Sequence, residues 1–141
     1  MSNFEIHPQL LADCHRLGRL ELCHVLLNKN AALPWFILVP QTAVADLLDL
    51  QPAQRTAALN GAAVIAQLIK RYLGYAKINF AAIGNIVPQL HLHIVGRKPD
   101  DACWPAPVWG NLVGSQVYSD QRVVELRELL VRQCSLKVEL G

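Results

Sequence analysis

A chain of 141 residues has the size of one ordinary domain, long enough to bury a core and too short for two, so a single domain over 1–141 is expected. Hydrophobic residues make up 52% and charged residues 17%, which excludes a disordered chain and leaves apolar surface for a partner, a homodimer being the expected one. The net charge of +2 comes without any run of Lys or Arg, which excludes the electrostatic footprint of a duplex nucleic-acid binder but not a single phosphorylated ligand.

The N-terminus has no apolar core of the signal-peptide kind, and no apolar stretch approaches the ~20 residues that cross a membrane. Cys14, Cys23, Cys103 and Cys134 form no C-x-x-C pair, so they read as reduced structural thiols of a cytosolic protein. His7 and His15 read as surface or helix residues. Leu20 to Leu27 is short, apolar and partly alternating and is followed by polar Asn28-Lys29-Asn30, the pattern of a strand and a turn. Trp35 to Val39, between Pro34 and Pro40, reads as a second strand in a hairpin with the first.

Pro52 suits a first helical position and Gly74 the residue after a last turn. Between them Leu59, Ala63, Ala66, Ile69 and Leu73 recur at helical spacing and predict the buried face, while Lys70 and Arg71 complement the C-terminal dipole. Ala76 to Ala82 reads as a strand, Gly84-Asn85 as a turn, and Gln89 to Val95 as the strand opposite. Ser119 can cap a C-terminal helix carrying Val123, Leu126 and Leu130 inward. Hairpin-paired strands around one long helix predict the α+β class, an antiparallel sheet with helices on one face.

Gln89-Leu90-His91-Leu92-His93-Ile94-Val95 alternates without a break, so strand geometry places Gln89, His91 and His93 on one face and Leu90, Leu92 and Ile94 on the other. Residues two apart lie roughly 6.5–7 Å apart, so both histidines can reach one phosphate-sized group. A neutral imidazole is a competent nucleophile near pH 7, and phosphoryl transfer needs donors aimed at the phosphate oxygens more than a strong base. His93 and Gln89 can be such donors, and only His93 can also carry a proton. H-x-H also occurs on solvated sheets and in metal sites. Ile94 to Pro99 supplies no third ligand, and no metal is expected.

The same heptad resembles the H-φ-H-φ-H-φ-φ signature of the histidine triad family, with Gln89 in place of the first His. Leu33-Pro34-Trp35-Phe36-Ile37-Leu38-Val39-Pro40 resembles the family's upstream strand leading to a proline, and Cys103-Trp104-Pro105 its later W-P segment. The resemblance covers about residues 5 to 110, with 111–141 as a helical extension. It implies a dimeric five-stranded antiparallel sheet with one long and one C-terminal helix. It also implies hydrolase or transferase action on nucleoside phosphates through a nucleotidyl-histidine.

By position, the resemblance makes His91 the nucleophile and His93 the third triad residue. Asn28 takes the place of the residue that holds the ribose, and Asn79 that of one that helps hold the phosphate. Asn85 in the turn completes the nucleotide-binding set. Either of Asn28 and Asn79 could equally be an amide satisfied by backbone. The base is expected in an apolar cleft of early-strand residues such as Leu22 or Leu26.

Gln89 cannot exchange a proton, and Trp35 stands where many members have another His. The Q-x-H-x-H arrangement is similar to that of a bacterial group labelled dinucleoside polyphosphate hydrolases. The expected activity is attack on the α-phosphate of a dinucleoside polyphosphate or nucleoside phosphoramidate. It needs no cofactor beyond magnesium brought by a polyphosphate. The rival expectation, carried by Gln89, is a nucleotide-binding regulatory dimer with little turnover.

Overall fold

The first hairpin begins earlier than the alternation of Leu20 to Leu27 suggests. In the computed structural model, which describes residues 3–139, β1 spans Cys14–Leu20 and β2 spans Cys23–Asn28, with Glu21 (φ 48°) and Leu22 forming the turn. The expected single strand is therefore the end of one strand and most of the next. β1 lacks an alternating signature because its register with β2 slips between Arg16 and Gly18, a bulge that puts Leu17 and Gly18 both in the interior. Residues 1, 2, 140 and 141 of the expected domain lie outside the described residues.

β3 (Trp35–Pro40) continues the hairpin as expected, β4 is Lys77–Ala81, β5 is Leu92–Arg97, and β6 is Lys137–Val138. Across the sheet the order is β4-β5-β3-β2-β1-β6, with every pairing antiparallel. The α+β class holds, but the sheet has six strands and not five. The sixth is a two-residue return that no sequence pattern announces. After the last helix, Ser135 adopts φ 58° and turns the chain onto the edge of β1. Gly18 admits it there, because a Cβ at that position would collide with the Lys137 carbonyl and the Leu136 side chain.

Among the described residues four helical pieces accompany the sheet: α1 (Pro8–Asp13), a single 3-10 turn (Leu47–Asp49), α2 (Pro52–Tyr72) and α3 (Asp120–Cys134). Pro52 opens α2 and Gly74, at φ 78°, follows its end, as the sequence requires. Its buried face matches the expected one only in part: Ile69 is buried and Ala66 and Leu73 pack against the core as expected, but the face is turned away from the other two, Leu59 and Ala63. Ala58, Ala62, Ile65, Leu68 and Ile69 are buried, whereas Leu59 is 41% exposed and Ala63 is also exposed. The helix is apolar around much of its circumference, so periodicity admits two faces. Packing selects the one whose alanines let α2 lie close to β3 and β5. Ser119 caps α3 by accepting from the Arg122 N–H, and Val123, Leu126 and Leu130 are buried as expected.

α2 and α3 cover one side of the sheet, over a core that includes Leu17, Val25, Leu27, Phe36, Leu38, Leu92 and Ile94. The other side is covered too, contrary to the expectation of helices on one face only. Ile6 and Leu10 from the N-terminal segment lie on Leu26, Ile37 and Val39, and Val108 lies on Leu33 and Val95. Buried Cys14 and Cys23 belong to these layers. Burial pushes both thiols up to about 12, which keeps them protonated and inert.

Candidate active site

β5 carries His93 but starts at Leu92, later than the expected Gln89, so that His91 stands just before it. Gln89, Leu90 and His91 lead into it outside any strand, with a bend at Gln89. The alternation survives without strand pairing, because Leu90, Leu92 and Ile94 all enter the core under α2. A one-residue slip would take Leu92 and Ile94 out of this core and put imidazoles in their place, so the opposite face is held firmly. His91 and His93 share that face with ring centroids 4.9 Å apart, edge to face at 70°, and each is only 7% exposed.

Hydrogen bonds assign a tautomer to each ring. His91 Nδ1 lies 2.7 Å from the carbonyl oxygen of Gln89; a carbonyl only accepts, so Nδ1 carries the proton and Nε2 the lone pair. That is the form in which an imidazole attacks. In His93 the pattern is reversed. The indole Nε1–H of Trp35 donates to His93 Nδ1 at 3.0 Å, so the ring's own proton sits on Nε2. Burial, and then neighbouring His91, pushes His93 down to about 4, so it is neutral throughout the physiological range.

Gln89 does not join the two rings in a row of donors. Its Nε2 donates to the Glu5 carbonyl at 2.9 Å and its Oε1 accepts from the His7 N–H at 2.8 Å. The residue at the first motif position therefore straps the N-terminal segment across the sheet. That strap also closes the expected base cleft. Leu26 is fully buried beneath Ile6 and Leu10, and Leu22 packs against the helical side of the sheet.

The three asparagines are spread around the site. Asn28 ends β2 and accepts from the Asn30 N–H at 2.9 Å, stabilising the turn, while Asn30 holds the 114–116 segment through Gly114 O and the Gln116 N–H. Asn79 pairs with Val95 across β4 and β5, on the histidine side of the sheet, but its Oδ1 accepts from Arg97 Nη1 at 2.8 Å. Asn85 is exposed in the loop whose Gly84 borders, with Asp46 and His91, a small hollow.

The walls were not legible in sequence. Trp35 and Trp109 both lie edge-on or tilted against His93, at 5.8 and 5.2 Å, and against each other at 6.1 Å. Trp109 belongs to the loop after the Cys103-Trp104-Pro105 segment. That loop is held by Asp101, which accepts from Arg97 Nε at 2.7 Å and Nη2 at 3.1 Å and from the Lys98, Cys103 and Trp104 N–H groups. Both side chains of this ion pair are 1% exposed. Burial alone would raise the Asp101 carboxyl; the Arg97 and backbone donors outweigh it and hold it at about 2. Among the described residues no group of three or more His, Cys, Asp or Glu could hold a metal ion, and no helix is long and apolar enough to cross a membrane.

Residues 9–100 match the family described as HIT domain. Over 89 residues, 59% of the chain, it is 32% identical to a bis(5'-nucleosyl)-tetraphosphatase [asymmetrical] of Schizosaccharomyces pombe and spans about half (49%) of that protein's length. Among solved structures, a histidine triad protein from Bradyrhizobium japonicum is 34% identical, with a TM-score of 0.85 over 92% of this chain and 96% of that one. A histidine triad protein from Marinobacter aquaeolei is also 34% identical, with a TM-score of 0.86 over 95% and 98%.

Proposed function

Because the chain belongs to the HIT domain family, we propose that it is a nucleotide hydrolase or nucleotidyltransferase in which His91 attacks the α-phosphorus of a dinucleoside polyphosphate or nucleoside phosphoramidate. The observation that carries this reading is the His91 Nδ1 to Gln89 carbonyl bond, which presents the Nε2 lone pair of a ring held just before the buried strand β5. His91 Nε2 bonds to phosphorus as the bond to the leaving group breaks, giving a nucleotidyl-His91. Water then displaces His91 and releases the nucleoside monophosphate. His93 Nε2–H donates to an oxygen of the phosphate in both steps.

Asn28 is the ribose ligand in this reading. Asn79 offers its amide N–H groups to the phosphate, since its oxygen is occupied by Arg97, and Asn85 closes the site from its loop. Gln89 contributes by holding the N-terminal wall. A regulatory dimer with little turnover rested on Gln89 as a defective acid. The Gln89 amide is spent on the backbone of Glu5 and His7, which supports a structural role for it in this reading and not that of a proton donor. Incubation with diadenosine tetraphosphate and magnesium should release AMP in catalytic amounts. Stoichiometric binding with no AMP would favour the regulatory reading.

The chain should also be a homodimer. β4 forms an edge of the sheet, and beside it Leu59, Ala62, Ala63, Ala66, Ile78, Phe80 and Ile94 outline a shallow apolar hollow of about 190 Å³, with Leu59 41% and Phe80 43% exposed. Light scattering at micromolar concentration is expected to report about twice the mass of one chain, and Phe80→Asp to shift it toward one. A monomeric wild type would remove the dimer from the reading.

A further inference from the structure

We propose that Trp35 is a positioning residue that holds His93 as a neutral Nε2–H donor with no proton to give. The site would then take phosphoanhydride nucleotides and discriminate against phosphoramidates. This rests on the nucleotidyl-transfer reading and narrows its leaving group. The indole N–H can only donate, so His93 Nδ1 must keep its lone pair. Protonating that nitrogen would set two N–H groups against each other at 3.0 Å and break the bond. Burial and the adjacent His91 ring oppose the cation further. The proton that remains, on Nε2, leaves a neutral imidazole only by making an anion, and the indole and imidazole rings around it provide no charge to stabilise one.

Among the described residues no other group at the site replaces it as an acid. His91 spends its N–H on the Gln89 carbonyl, and Gln89 has no titratable proton. Around His93 stand the rings of Trp35, Trp109 and His91, with Ile37 and Ala81 as its cross-strand neighbours. Asp46, which shares the hollow beside His91, is an exposed side chain open to solvent. Among the described residues the site thus has a nucleophile and hydrogen-bond donors but lacks a general acid.

The consequence follows from the leaving group. When His91 Nε2 bonds to the α-phosphorus of an anhydride, the P–O electron pair leaves with a phosphate chain that is stable as an anion, and no proton is needed. In a phosphoramidate the P–N electron pair would leave on an amine nitrogen, which must be protonated as it departs. In the second step a water oxygen bonds to phosphorus, the P–N electron pair returns to His91 Nε2, and the water proton passes to solvent. That step is common to both substrates, so discrimination arises in the first.

Two wild-type measurements test this. Imidazole ¹⁵N correlation spectra should show His93 with its proton on Nε2 and no imidazolium at pH 6. The kcat/KM for diadenosine tetraphosphate should exceed that for adenosine 5'-phosphoramidate by at least about 100-fold, the scale of one general acid. Trp35→His, which can accept as well as donate, should free His93 to carry a proton on Nδ1. It should raise phosphoramidate kcat and cut the ratio about tenfold or more, with an acid limb moved to higher pH. Trp35→Phe should release the tautomer without supplying a partner.

A proton on Nδ1 in wild type, or phosphoramidate turnover as fast as anhydride turnover, would overturn the proposal. So would an unchanged ratio in a folded Trp35→His. The wild-type measurements decide it even where a variant does not fold. Turnover of neither substrate, with the Nε2 tautomer observed, would instead bring down the hydrolase reading and the selectivity with it, while the Trp35–His93 assignment stood.

Discussion

Replacing His91 with Ala, or with Asn to keep more of its volume, should lower turnover of a dinucleoside polyphosphate by about 10³-fold or more while nucleotide binding persists. Several kcal/mol of barrier are at stake when a covalent nucleophile is lost, against about 1 kcal/mol for a single hydrogen bond, so the magnitude separates the two roles. Rapid quench of wild type in alkaline denaturant should trap one nucleoside monophosphate per active chain, on a peptide within residues 89–95, as a phosphoramidate that is stable in base and lost in acid. The His91 variants should trap none. An adduct on His93, or His91→Ala with most of its turnover, would show that the nucleophile is misassigned, because His93 Nδ1 is already occupied by Trp35 and Nε2 carries its proton.

Asp101→Ala should be the most destabilising single change near the site, costing on the order of 3–5 kcal/mol as a lower urea midpoint with an unchanged slope. It would strand the Arg97 guanidinium, 1% exposed, without its carboxylate and release the backbone donors of Lys98, Cys103 and Trp104 together. Activity should fall as well, since this loop presents Trp109 to His93.

The pH dependence has a definite sign. The Asp101 carboxyl is held at about 2, below its ordinary 3.8, so its contribution is fully present above pH 3.8 and is lost as pH falls through 2. The stability gap between wild type and Asp101→Asn should therefore narrow between pH 4 and 2. His93 acts in the same direction at higher pH. Its folded form stays neutral down to about 4 while the unfolded chain takes up a proton near 6.5, so stability falls as pH drops through that window. A gap that stayed constant to pH 2 would mean that Asp101 is not held by Arg97 in solution.

What the chain says locally can be read from it directly. Gln89 to Val95 alternates, and the faces it implies for His91, His93, Leu92 and Ile94 are those observed, because a period of two needs no knowledge of the partner strand. Pro52 and Gly74 bound α2, and Ser119 caps α3, since proline, left-handed glycine and a capping hydroxyl act within one turn. The face of α2 was read correctly at Ala66, Ile69 and Leu73 but not at Leu59 and Ala63, where several apolar stripes compete, and β1 and β6 were missed where a bulge broke the alternation or two residues were too few to show one.

The chemistry of the site was decided by contacts across long stretches of sequence. Trp35 meets His93 at a separation of 58 residues, and Gln89 meets His7 and Glu5 at 82 and 84. A hydrogen bond of that kind leaves no periodic trace, because either partner alone is an ordinary polar or aromatic residue. The sequence by itself thus determined which two imidazoles stand together on one side of the sheet. Only the tertiary structure, by placing a donor-only indole against one ring and a carbonyl against the other, decided which nitrogen of each carries the proton.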